Sequence, residues 1–234
     1  MYLDLHTHLL WGIDDGPRSE AESVEMVHAL ITLGFDGAAP SPHCVNAMFL
    51  RQRLEEFEAV LSRASIDFDL YENTENKLSP SMIADVITGK GMMLARTRFF
   101  LVELSPFAPC PALPSILAQL ANAARTALIA HPERSAHFLQ GAEAAAVAVR
   151  AAGGLLQLDL GSLVGLYGRD AERAARQLLD GEHYAVAATD MHELDDARWI
   201  GRALSALDRF CGPAEVERLL TINPRRIAQG ESPV

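Results

Sequence analysis

Nine residues of two chemical kinds stand at the ends of short apolar runs. His6 and His8 close the run that opens at Tyr2, and Asp15 follows in the next loop. His43 follows residues 36–40, Glu75 follows residues 66–71, and Glu103 ends residues 99–102. His131 follows residues 128–130, and Asp190 and His192 follow residues 186–188. Five imidazoles and four carboxylates form a borderline-hard ligand set without thiolate. Such a set suits zinc, manganese or iron and is common in polynuclear hydrolase sites. One ion does not need so many ligands; carboxylates bridging ions about 3.5–4 Å apart would hold two or three.

A lone histidine at a strand end is more often a hydrogen-bonded structural residue than a ligand. His6-x-His8 carries more weight, because alternate residues of a strand face the same side. Asp190-Met191-His192 repeats that spacing. His28 falls inside a predicted helix, and His137 and His183 fall in polar loops, where solvation or capping explains them. Two arginines stand nearby in sequence: Arg134 after His131-Pro132-Glu133, and Arg198 a loop beyond His192. A guanidinium fork matches phosphate oxygens and offsets charge in phosphoryl transfer. The plainer reading of Arg198 is a surface ion pair with Asp195 or Asp196.

The elements that must position these residues recur as a unit of apolar run, polar loop and amphipathic helix. Strands are expected at residues 2–6, 36–40, 66–71, 98–104, 127–130, 155–158 and 184–188. Helices are expected at 19–33, where Ser19 and Glu22 form a capping-box pattern, and at 50–64, 81–87, 115–124, 141–152, 169–179, 197–210 and 213–220, with a last turn at 223–228. Strands alternating with helices imply βαβ units and a mainly parallel sheet. Seven strands with their helices suit a barrel better than an open sheet, and the Gly-x-Gly-x-x-Gly fingerprint of a doubly wound dinucleotide fold is missing. In a parallel α/β fold the carboxyl ends of the strands share one face, where active sites lie.

The chain has 234 residues, 49% of them apolar and 22% charged, which suits one domain over residues 1–234. The net charge of -11 counts against nucleic acid as the main partner. Cys44, Cys110 and Cys211 are an odd, scattered set, read as reduced thiols. None has an arginine six residues on, so a cysteine-phosphatase loop is absent, and so is a P-loop. No apolar run reaches the roughly 18 residues of a membrane span, and Asp4, His6 and His8 replace what a signal peptide would make apolar, so a cytoplasmic chain is expected.

The motifs resemble the PHP (polymerase and histidinol phosphatase) metal-dependent phosphoesterases, and within them the CpsB/CapC-type bacterial tyrosine-protein phosphatases of capsule and exopolysaccharide systems. The match runs from Asp4-Leu5-His6-Thr7-His8 through Gly12-Ile13-Asp14-Asp15-Gly16-Pro17, Ser41-Pro42-His43, Glu75 and Val102-Glu103-Leu104. It continues through Ala130-His131-Pro132-Glu133-Arg134, Gly161-Ser162-Leu163, Asp190-Met191-His192 and Asn223-Pro224. The resemblance implies a distorted (β/α)7 barrel with the metal cluster at the C-terminal ends of its strands. It implies one ion on His6, His8, Glu103 and Asp190, a second on Glu75, a bridging Glu103 and His131, and a third on Asp15, His43 and His192. Arg134 and Arg198 would bind phosphate. The metals would be two or three divalent ions, manganese first, with zinc, iron, magnesium or cobalt as alternatives. Four positions depart from the pattern: Asn73 where glycine is usual, Cys44 where a second histidine is frequent, Glu193 for asparagine, and a loop to Arg198 one residue longer.

The expected activity is phosphomonoester hydrolysis without a phospho-enzyme, on a phosphotyrosyl protein, namely the tail of a tyrosine kinase that controls polysaccharide export. The alternatives are a small-metabolite phosphatase acting on histidinol phosphate, a sugar or a nucleotide phosphomonoester; a PHP nuclease, which the acidic charge disfavours; and a non-catalytic scaffold, which retention of the whole ligand set disfavours.

Overall fold

A computed structural model describes residues 1–43 and 46–234; Cys44 lies outside the described residues. The elements run β1 (Tyr2–Thr7), α1 (Glu20–Thr32), β2 (Phe35–Pro40), α2 (Ala47–Arg63), β3 (Asp69–Leu70), β4 (Glu75–Lys77), α3 (Pro80–Ile87) and β5 (Phe99–Glu103). They continue with α4 (Leu113–Asn122), β6 (Thr126–Ala130), α5 (Ala136–Leu139), α6 (Ala142–Ala151), β7 (Leu155–Asp159), α7 (Arg169–Asp180), β8 (Val186–Ala188), α8 (Ala197–Glu217) and α9 (Asn223–Ala228).

Every strand pairing is parallel, in the orders β1-β2-β3 and β4-β5-β6-β7-β8. Two single bridges join these sheets. Thr7 pairs with Met191 beyond β8, and His43 beyond β2 pairs with Glu75 at the start of β4. The ring therefore closes, with β3 and β4 as two pieces of one position, giving seven positions among the described residues. The expected strand at 66–71 survives only as Asp69–Leu70, because the chain leaves the ladder and re-enters it at Glu75.

Alternation along the strands sorts the core into two layers. Phe100, Val102, Ile129, Leu156 and Leu158 pack with helix residues such as Met26, Leu30, Leu117 and Leu120. Leu3, Leu5, Leu101, Leu128 and Val186, drawn from strands around the ring, form a second cluster inside it. That inner cluster fills the barrel below its mouth, so the polar strand ends stand on a close-packed floor.

Helix α1 begins as its sequence predicts: the Ser19 side chain accepts from Glu22 N at 3.3 Å, although the Glu22 carboxylate accepts from Arg18 N rather than completing the box at Ser19. The two helices expected at 197–210 and 213–220 are continuous apart from a kink at Gly212, whose φ of 76° lets the chain turn before Pro213. Cys110 and Cys211 are free thiols. Among the described residues no helix is long and apolar enough to cross a membrane.

Candidate metal centre

The end of β1 lies against the segment after β8. Asp190 N donates to His6 O at 2.9 Å and His8 N to Met191 O at 2.8 Å, so residues from the two ends of the chain share one rim. Below them Asp4 accepts from Thr189 N at 3.2 Å and from the Thr189 hydroxyl, tying the two strands together at their base. Two of the converging residues carry left-handed backbone, His131 (φ 32°) and Asp190 (φ 53°). Non-glycine residues seldom adopt this conformation, and it recurs at sites where a side chain is aimed rather than merely packed.

Three groups of candidate ligand atoms gather there: His6 with His8 and Asp190; His6 with Glu75 and His131; and His8 with Asp15, His43 and His192. In the first, Asp190 Oδ1 lies 3.1 Å from His6 Nε2 and 3.4 Å from His8 Nε2. In the second, Glu75 Oε1 is 2.7 Å from His131 Nε2. Its other oxygen, Oε2, lies 3.5 Å from His6 Nε2 and 3.0 Å from His43 Nδ1. In the third, Asp15 Oδ1 is 3.6 Å from His43 Nε2 and 3.5 Å from His192 Nε2. Burial is graded: His6, His8, Glu75 and Asp190 are buried, whereas the side chains of His192 (29% exposed), His43 (32%) and Asp15 (65%) open to solvent.

Eight of the eleven residues singled out from the sequence fall in these groups. Glu75 is the carboxylate at the centre of these groups, where the resemblance implies a bridging Glu103. Glu103 shares the inward parity of Leu101 on β5, but it lies outside the three groups, with Oε1 3.7 Å from Lys77 Nζ. The break between β3 and β4 carries Glu75 to the centre instead. Arg198 also lies away from the groups. A short turn at residues 194–196, closed by reciprocal caps between Glu193 and Asp196, starts α8 at once and points Arg198 outward. There it is 83% exposed and 3.6 Å from Asp195 Oδ1, as its plainer reading expected.

Arg134 does reach the rim. Its Nη1 donates to Asp190 Oδ2 at 2.7 Å and to Asp159 Oδ2 at 3.0 Å, and its guanidinium lies 4.0 Å from the centre of the Tyr167 ring. Glu133 braces the same corner from behind, accepting from Asp159 N and the Tyr184 hydroxyl, each at 2.9 Å.

The orphaned atoms test whether cations suit this set. His6 Nε2, His8 Nε2, His43 Nδ1 and Asp190 Oδ1 are buried without a hydrogen-bond partner among the described residues, and all four face the same small volume. Buried polar atoms are normally paired, so four orphans aimed together call for a ligand. The tautomers agree. His8 Nδ1 donates to Asp14 Oδ2 at 2.7 Å and His192 Nδ1 to Asp190 O at 2.7 Å, leaving each Nε2 lone pair free, as metal-bound histidines require. Gln157 Nε2 lies 3.1 Å from His6 Nδ1 while its carboxamide oxygen is left without a partner; the reversed carboxamide, with the oxygen accepting from Nδ1, satisfies both and frees Nε2 of the third ring. The residues fit divalent cations.

Charge balance points the same way. Burial would raise Glu75 and Asp190, but the imidazoles around them hold both well below the usual carboxylate range. Burial pulls His8 down, yet its hydrogen bond to Asp14 and the nearby carboxylate of Asp190 carry it up to about 10. Without cations the centre must hold protons between its carboxylates, and cations replace them on binding.

Asp14, Gln157, Asp159 and Tyr167 complete the surroundings of the site, though sequence reasoning assigned them no part. Gln157 and Asp159 repeat at the end of β7 the alternate spacing of His6 and His8, which was the signal available. Asp14 stands in the loop that supplies Asp15. Nothing local in the sequence marks Tyr167.

The model of the family described as "Capsular polysaccharide synthesis, CpsB/CapC" matches residues 2–229. The chain belongs to the CpsB/CapC family. It is 23% identical over 238 residues to the tyrosine-protein phosphatase YwqE of Bacillus subtilis, covering 98% of this chain and 92% of YwqE. It is 22% identical over 202 residues to CapC of Staphylococcus aureus, covering 82% of this chain and 77% of that protein. Among solved structures it superposes with a TM-score of 0.88 and 22% identity, over 99% of both chains, on one from work describing Bacillus subtilis YwqE and Streptococcus pneumoniae CpsB as metal-dependent tyrosine phosphatases. The barrel topology is thus shared with that structure.

Proposed function

We propose that this single barrel unit is a metal-dependent phosphatase of phosphotyrosyl proteins, acting in the cytoplasm on the tail of a tyrosine kinase of capsule or exopolysaccharide synthesis. The observation that carries this reading is the convergence of unpartnered imidazole nitrogens on Glu75 and Asp190 at the barrel mouth. The naming of YwqE as a tyrosine-protein phosphatase supports the substrate class.

His6, His8 and Asp190 would hold one ion, and Glu75 with His131 a second. Glu75 would bridge the two, since one of its carboxylate oxygens lies toward His131 and the other toward His6. Asp15, His43 and His192 would hold a third. Two or three divalent ions, manganese first, would supply Lewis acidity that brings the pKa of water down toward about 7 and charge that offsets the phosphoryl oxygens.

The chain's own groups do the rest. Asp159 and Asp190 fix Arg134 at the rim through one nitrogen, leaving its other N–H groups for a phosphoryl oxygen. Tyr167 stacks on the guanidinium and limits its swing. The inner layer of Leu3, Leu5, Leu101 and Leu128 keeps water out from below. The partly exposed Asp15, His43 and His192 leave the outer edge open to a side chain borne on a protein. A phenolate leaving group, with a pKa near 10, needs little help from a general acid.

Metal analysis of the purified protein together with a steady-state phosphoester panel tests the reading. Two or three bound equivalents and a preference for phosphotyrosyl peptides are expected. A preference of orders of magnitude for histidinol phosphate, sugar phosphates or nucleotides would reassign the enzyme as a small-metabolite phosphatase.

A further inference from the structure

An arginine-lined groove of about 710 Å3 runs between α7 and α8. Arg198, Arg202, Ser205 and Arg209 line it from α8, spaced to fall along one stripe of the helix. Arg176 of α7 and Leu163, in the turn after β7, line it opposite. Glu172 is its acidic residue, already bound to Arg176 at 2.5 Å. Arg198 has Asp195 beside it, and Arg202 and Arg209 have no carboxylate partner among the described residues. In a chain of net charge -11, four guanidinium groups in one groove are an exception that like-charge repulsion works against.

The groove is lined from segments that follow site residues closely in the chain. Leu163 follows Asp159, the partner of Arg134, by four residues, and Arg198 follows His192 by six. Between them the turn at residues 194–196 divides two openings. The cleft on its other side carries five carboxylates, Asp15, Glu22, Glu25, Glu193 and Asp195, against one guanidinium, Arg18, so its balance disfavours an acidic chain. A negatively charged strand leaving the centre is therefore steered toward the arginines. The groove is shallow and open, which leaves its guanidinium groups accessible to a charged chain.

We infer that the arginine groove between α7 and α8 docks an acidic segment of the protein substrate, next to the phosphorylated tyrosine that enters the metal centre. The inference rests on the phosphatase reading for its substrate and specifies the flanking sequence that substrate carries. Contacts of this exposed kind are salt-screened, with a Debye length near 8 Å at physiological ionic strength. They act on KM rather than on chemistry.

The double variant Arg202→Ser, Arg209→Ser tests it, since neither residue touches the metal centre. Three substrates are compared: p-nitrophenyl phosphate, a phosphotyrosyl peptide flanked by glutamates, and the same peptide flanked by glutamines. The variant is expected to lose about tenfold in kcat/KM on the glutamate peptide, through KM, as two surface charge contacts allow. It should be unchanged on the other two substrates, and Arg202→Lys, Arg209→Lys should recover most of the loss. Equal effects on both peptides, or none on the glutamate peptide, would overturn the inference. Fluorescence anisotropy with the unphosphorylated glutamate peptide separates the two readings. Groove-dependent binding without turnover of any phosphotyrosyl substrate would uphold the groove and sink the phosphatase reading. Groove-dependent adhesion to phosphatidylglycerol–phosphatidylcholine vesicles without peptide binding would overturn the docking of peptide in favour of membrane.

Discussion

Nδ1 of His8 lies 2.7 Å from Oδ2 of Asp14, and this contact selects which ring nitrogen faces the centre. The same carboxylate oxygen accepts from His43 N at 3.1 Å, while Oδ1 accepts from Gly16 N at 3.1 Å. Asp14 is therefore held by the loop that carries Asp15, and it stays ionised: burial works against it, but His8 brings it down to about 2. Replacing Asp14 with asparagine removes the charge that fixes the tautomer of His8. Metal affinity, measured by competition with a chromophoric chelator, is expected to fall by about 10–100-fold. An unchanged affinity would mean that His8 does not need this partner.

Glu75 and Glu103 make opposite predictions about which carboxylate bridges. Glu75 has imidazoles on both of its oxygens, whereas Glu103 faces Lys77. Glu75→Gln is expected to lower metal content by more than one equivalent and kcat by at least about a thousandfold. Glu103→Gln should cost no more than one equivalent. Atomic emission on dialysed protein reads the stoichiometry, and the reverse order would restore Glu103 to the bridge.

What was legible in the sequence follows from how local each signal is. Ser19 with Glu22, and Gly34 after Leu33, mark the ends of α1 within a few residues, and the structure places them there. The run at 66–71 alternates like a strand, but ladder pairing needs a neighbour, and only Asp69 and Leu70 find one on β2. The resemblance ranks Glu103 first, as the bridge, whereas the groups of the structure gather around Glu75. The difference between them is a break in the ladder that no local pattern encodes. Arg198 shows the same limit: one reciprocal cap between Glu193 and Asp196 redirects the chain. Tyr167 owes its place over Arg134 to tertiary packing alone.

Arg134 joins the phosphate end of the proposed reaction to the metal end. Burial would weaken its charge, but Asp159 and Asp190 keep the guanidinium protonated beyond question. Burial first, and then the charge of Asp190, pushes Asp159 up to about 7, so that acid depends on Arg134 in turn. Arg134→Ala is expected to lower kcat/KM by about 10²–10³-fold and to weaken inhibition by inorganic phosphate in parallel. Arg134→Lys should not rescue it, because an ammonium cannot span two carboxylates and still present a planar fork. Intact catalytic efficiency in the alanine variant would remove Arg134 from phosphate handling.

Glu72 supports the break that delivers Glu75. Its carboxylate accepts from Arg51 Nε and Nη2 at 3.0 and 2.9 Å and from Arg96 Nε at 3.1 Å, clamping α2 to the turn before β5. Burial raises this carboxyl, but the two arginines outweigh burial and lower it below its ordinary 4.5. A carboxyl lowered on folding contributes stability that is present above about 4.5 and is lost as pH falls through its folded value. Glu72→Gln is therefore expected to cost about 1 kcal/mol at pH 7, since both arginines stand largely in solvent. Urea unfolding of the two proteins should converge as pH falls through the lowered folded value of Glu72, below which the wild-type carboxyl is also neutral. A difference that persists unchanged into acid would show that the ion pairs are not its source, and that the variant acts through packing at the strand break instead.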